Sequence, residues 1–147
     1  MKARLLMILP VVLLIAADNP PDPASKKDLD GLQGTWTLAS AMQDGKALAQ
    51  DKVKKTTIVF KDDTFRFPGS AEYATSRKGT IKVDATKTPK QMDAISTEKE
   101  LMSGIYELNG DNYKVCFAPV GKPRPNELTS NPGSSYILQV WQRQKQR

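Results

Sequence analysis

The stretch Leu32-Gln33-Gly34-Thr35-Trp36-Thr37-Leu38 decides how this chain is read. From Gly34 to Met42 the pattern alternates, with Trp36, Leu38 and Met42 on one face and Thr35, Thr37, Ala39 and Ala41 on the other. A period of two marks a half-buried strand. Gly34 lets the backbone bend where the strand begins, and Trp36 is the residue that would plug the closed end of a small up-and-down barrel.

Working outward, strand-like runs recur every ten to twenty residues. Lys46 to Lys52 reads as a loop or a single helical turn after the Asp44-Gly45 turn signal. Thr56, Ile58 and Phe60 share a face. Asp62-Asp63 turns the chain, and Phe65 and Phe67 point back inward, which makes the clearest hairpin in the sequence. Tyr73 to Asp84 carries Ile81 and Val83 in alternation, and Gly79 marks a bulge or a close backbone approach. Gln91 to Ile95, Gly104 to Leu108, Tyr113 to Phe117 and Ser135 to Arg143 complete eight strands. The run 118–134, with Pro119, Pro123, Pro125 and Pro132, is a loop long enough to be functional or to cap an opening. The expected fold is therefore all-β, an antiparallel up-and-down barrel of about eight strands. Eight is the number at which a barrel either fills with side chains or holds one small ligand.

Residues 1–17 have the parts of a secretory signal. Lys2 and Arg4 form a basic start, Leu5 to Ile15 is apolar apart from Pro10, and Ala16-Ala17 are small. The run is shorter than the ~20 residues that span a bilayer, so export with cleavage is expected, to a periplasm or cell envelope, leaving no stable membrane span. Residues 18–28 (DNPPDPASKKD) read as a Pro-rich extended linker. Residues 29–147 then form one domain by length.

The formal charge is +6, from 22 basic and 16 acidic residues. Two of those positive charges leave with the leader, and the rest are scattered, so no nucleic-acid face is expected. The chain has no His and one Cys. That removes Ser-His-Asp and Cys-His catalysis and His-ligated zinc, and no metal or cofactor is expected. Carboxylates remain, and Asp93 and Glu107 are the pair one would assemble for glycoside hydrolysis. Nothing selects them over Asp84 or Glu72, so no enzyme activity is expected.

Several motifs then occur in order: Leu32-Gln33-Gly34-Thr35-Trp36, Asp84-x-x-Lys87-x-Pro89-Lys90-x-Met92-Asp93, Gly104-Ile105-Tyr106-Glu107-Leu108-x-Gly110-Asp111, Lys114-Val115-Cys116 and Arg124-Pro125. In order and spacing the chain resembles an uncharacterised lipocalin-like domain family abundant in planctomycete proteomes, over Leu29 to about Arg143. The resemblance implies a small exported barrel and no assigned reaction. Asn126-Glu127-Leu128 departs from the family, whose members more often have a Thr and an aromatic there.

The candidate ligand-binding residues are Trp36, Phe60, Phe65, Tyr106 and Arg124, for a small hydrophobic ligand or a cell-envelope component. The alternative is a filled barrel that serves as a structural or interaction protein. Arg124, held between two prolines, suits a carboxylate or phosphate, or equally an internal tie to Asp93 or Glu127. Closure predicts that strand 135–143 pairs antiparallel with strand 34–42. It would bring Arg143 to the end that holds Trp36, where the two can stack. Alternation on the last strand puts Leu138 and Val140 inward and Ile137, Trp141 and Arg143 outward, which makes that contact awkward.

Overall fold

Each of the hairpins read from the sequence closes onto its neighbour until the last strand meets the first. The computed structural model describes residues 19–69 and 78–146. The leader 1–17, Glu72 and the strand start placed at Tyr73 lie outside the described residues.

Nine strands occur among the described residues: β1 Gly34–Gln43, β2 Lys46–Ala47, β3 Thr57–Lys61, β4 Thr64–Arg66, β5 Lys78–Asp84, β6 Lys90–Ser96, β7 Leu101–Asn109, β8 Asn112–Phe117 and β9 Ile137–Arg143. All neighbours are antiparallel. β2 is a short flap on β1, and the other eight close into a barrel through pairing of β1 with β9. The predicted closure is thus observed, with Trp36 opposite Arg143. Closure pairs each of these eight strands with a neighbour on both sides.

The strand phase departs from the expectation on β1 and on β9. The β1–β9 register passes from Leu38↔Trp141 to Ser40↔Val140, so Ala39 is an extra residue, a β-bulge. Beyond it the alternation inverts: Ala41 is buried and Gln43 faces the interior, whereas Met42 turns outward. On β9 it is Ile137, Gln139 and Trp141 that face inward, and Leu138 and Val140 lie on the outer side. The sequence of β9 is apolar on both faces, so alternation could not choose between them. The outer face there is covered too: Ile105 and Cys116 are buried, and Cys116 Sγ reaches Thr129 O in the segment 118–134.

That segment does not cap the barrel. It runs as a strap along the outer wall. Ala118 N–H donates to Ser103 O, Cys116 Sγ to Thr129 O, and Gly45 N–H to Ser130 Oγ at 3.1 Å. Replacing it with a short link would therefore uncover apolar wall rather than leave the barrel intact.

Residues 23–28, expected within an extended linker, instead begin a helix, α1 Pro23–Leu32. Pro23 takes the first helical position, where its missing N–H costs nothing. Asp22 caps the turn by accepting from Ser25 N (2.9 Å) and Ser25 Oγ (2.6 Å). These bonds hold its carboxyl below the usual range, that from the Ser25 side chain contributing most. Ser25 Oγ also accepts from Ala85 N–H at 2.8 Å, which ties the helix to the turn after β5. Leu32, fully buried, enters the core from below. The helix is the floor of the barrel. At the opposite end, Lys46 to Lys52 holds β2 and the start of the one-turn α2 Gln50–Val53, which tucks Val53 into the core.

Candidate functional site

The two ends of the barrel are built differently, and the difference makes a site. At the closed end, Gly34 has a φ of +111°, and a Cβ there would lie 3.3 Å from Arg143 Nη1, so only Gly fits. Trp36 is fully buried and its Nε1 donates to Leu32 O at 2.7 Å. The Arg143 guanidinium carbon sits 4.2 Å from the centre of the Trp36 ring. The same guanidinium donates to Gly31 O and Gln33 O at the end of α1 and to Asp111 Oδ1 at 3.0 Å. One residue therefore joins floor helix, first strand and last strand. The predicted stacking contact exists, and it is natural once β9 is phased correctly.

Above this floor lies an aromatic layer. Tyr113 meets Trp36 and Phe60 edge-on, with ring centres 5.8 and 6.0 Å apart. Its hydroxyl donates to Met92 Sδ at 3.1 Å. Complete burial raises the Tyr113 phenol well above its ordinary range.

From that layer to the mouth runs a cavity of about 300 Å³. Its size falls at the lower end of ligand pockets, ~300–1,000 Å³. Phe60, Phe65, Phe67 and Trp141 supply aromatic wall, and Met92 and Met102 supply side chains that adapt to shape. Phe65–Phe67 and Phe67–Trp141 stand 6.1 and 6.3 Å apart. Besides the Tyr113 hydroxyl and the Trp141 ring N–H, the polar side chains in the lining are Gln43, Thr56 and Gln139. Thr56 Oγ1 is already engaged, donating to Lys52 O at 3.0 Å. Gln139 Oε1 accepts from Trp141 Nε1 at 3.2 Å, which leaves the amide N–H groups of Gln139 without a partner among the described residues. No Asp, Glu, Lys or Arg among the described residues lines the cavity.

Of the sequence-predicted site residues, Phe60 and Phe65 line this cavity. Trp36 lies beneath it as floor. Tyr106 is also below the floor: its hydroxyl donates to Asp28 Oδ2 at 2.7 Å, and Lys90 Nζ donates to the same oxygen at 2.8 Å. Burial, then the bond to Asp28, raises the Tyr106 phenol far above its usual value. Lys90 thus pairs with α1.

Arg124 is on the outer wall, away from the cavity. It donates to Asp93 Oδ1 at 2.7 Å, to Gly104 O at 2.8 Å and to Met92 O at 3.1 Å. The internal tie to Asp93 is therefore the arrangement present, and Arg124 is withdrawn from the ligand set. With Asp93 engaged by Arg124 and Glu107 exposed opposite Lys114 on the β7–β8 face, the two carboxylates do not form a cleft pair.

Sequence reasoning missed Trp141, Met92, Met102, Gln43 and Gln139. A usable signal existed for Trp141. If Arg143 stacks on Trp36, then Trp141, two residues away on the same strand, must share that inner face.

Cys116 is buried beneath the strap, and burial pushes its thiol up to about 11. Among the described residues no group of three or more His, Cys, Asp or Glu is placed to hold a metal. No helix among them is long and apolar enough to cross a membrane. Comparison with protein-family models, curated proteins and solved structures finds no match.

Proposed function

We propose that this protein is an exported, lipocalin-like binding module that holds one small hydrophobic ligand inside its barrel. The observation that carries this reading is the apolar cavity of about 300 Å³, open at one end and floored by Trp36 and Tyr113 at the other. An apolar cavity of ~150 Å³ already binds benzene; this one has about twice that volume. Export rests on the leader 1–17. The lining favours binding over chemistry, since its only ionisable group among the described residues, the Tyr113 phenol, is held neutral by burial. The cavity also argues against a solidly filled structural barrel.

Titration with the neutral dye N-phenyl-1-naphthylamine tests the reading. Saturable fluorescence at one dye per chain is expected, with a change in Trp141 emission. Ala94 lines the cavity, so Ala94→Phe should fill it and remove most of the affinity while the circular dichroism stays the same. Equal dye affinity in native chain and variant would place the dye elsewhere and end the proposal.

A further inference from the structure

The mouth of the cavity is chemically distinct from its depth. Gln43 lies at the end of β1 and faces the cavity, and its directly paired partner across the β1–β2 turn is Lys46. Opposed residues of an antiparallel pair project to the same face. Leu48, two residues beyond Lys46, does line the cavity, which confirms that phase. Lys46 is exposed and makes no ion pair among the described residues. Its neighbour Asp44 is turned to the Ser135 N–H, 2.9 Å away. Gln139, one inward step along β9 from Ile137 at the rim, keeps its amide N–H groups free.

Each of these groups has N–H to donate, and they sit at or one step inside the rim, above a depth without charge. From them we propose that the natural ligand is an amphiphile with an anionic head. It enters tail first, with its carboxylate, phosphate or sulfate at Gln43, Lys46 and Gln139. This rests on the binding reading above and adds the ligand's chemical class and orientation. The tail-first sense follows from desolvation. A charge taken to the Phe60–Tyr113 layer would find no counter-ion, whereas at the rim it keeps water and gains a cation. The volume, twice that which holds benzene, suits a tail or ring system of roughly ten carbons.

Displacement of N-phenyl-1-naphthylamine by three decyl compounds tests this: decanoate, decanol and decyltrimethylammonium, each below its micellar concentration at neutral pH. The expected order of affinity is decanoate, then decanol, then the cation. Lys46→Gln should weaken decanoate about fivefold, the scale of an exposed ion pair, and leave decanol unchanged. Lys61→Gln, the same charge change at the closed end, should leave both unchanged. Salt near 1 M, where the screening length is ~3 Å, should erase the preference for decanoate. Decanol binding as tightly as decanoate, or decanoate indifferent to Lys46→Gln, would overturn the anionic head and leave the cavity reading standing. If neither the dye nor any decyl compound binds, both fall together.

Discussion

Arg143 shows how much one side chain can hold. It stacks on Trp36, closes the carbonyl end of α1 through Gly31 and Gln33, and pairs with Asp111. Carbonyls at a helix C-terminus are short of partners and carry partial negative charge, so a cation there is favoured. Truncation leaves Trp36 without its cation and two partly buried carbonyls without a donor. Arg143→Ala is expected to cost about 2–4 kcal/mol in urea unfolding, combining a cation–π contact with charged hydrogen bonds. Arg143→Lys should recover only a minor part, because an ammonium cannot fork to Gly31 and Gln33 while lying flat on an indole. Full recovery by Lys would show that charge alone matters at this position.

At the scale of elements, the instructive pieces are the strap 118–134 and the helix α1, since neither belongs to the meander. The strap satisfies the outer apolar wall at Ile105 and Cys116 and is pinned by Arg124. Arg124→Ala should destabilise by about 2–3 kcal/mol, because two strand carbonyls and Asp93 lose their donor. Asp93→Asn should cost less, and the double variant should show a coupling of about 1 kcal/mol. Dye affinity measured on the folded fraction should not change in any of the three. A folded Arg124→Ala variant that no longer binds dye would return Arg124 to the ligand site. Helix α1 has a signature that could have been read, with Asp22 before Pro23 and a short polar turn. The three prolines in 18–28 outweighed it, although Pro at the first helical position starts a helix as readily as it ends one.

For the whole molecule, the titratable groups predict a flat response to pH near neutrality. The chain has no His, the residue whose ordinary titration falls between pH 5 and 8. On the acid side, Asp22 and Asp84 are held below 3.8 by hydrogen bonds, chiefly from the side chains of Ser25 and Thr86 respectively. The unfolded chain therefore takes up protons first, and their stabilisation is present above pH 3.8 and lost as pH falls below it. On the alkaline side, Cys116 is raised from 9.0 to about 11, and Tyr106 and Tyr113 are raised above 10.0, all mainly by burial. The Cys116 contribution is complete below pH 9 and is lost as pH rises through 11, and that of the two tyrosines begins to fall above pH 10. Urea midpoints should thus be constant from about pH 5 to 8 and fall on both sides. Phenolate absorbance from the two buried tyrosines should appear together with unfolding. A step in stability between pH 6 and 7 would contradict this account.

The sequence by itself determined the all-β meander, eight closing strands, Trp36 at the closed end and the pairing of first strand with last. These follow from alternation, turn residues and hairpin order, all of which are local. It also offered Asp93, alongside Glu127, as a tie for Arg124, and Gly79 as a bulge or a close approach; a Cβ there would lie 2.1 Å from Ile95 O. Only the tertiary structure decided the interior of β9, the path of the strap and the depth of the cavity. One inserted residue, Ala39, reverses inside and outside for the rest of β1. A strand apolar on both faces is phased by its neighbours and by whatever covers its outer side. Local pattern holds neither the bulge nor the cover, so which residues meet a ligand is fixed only when the barrel closes.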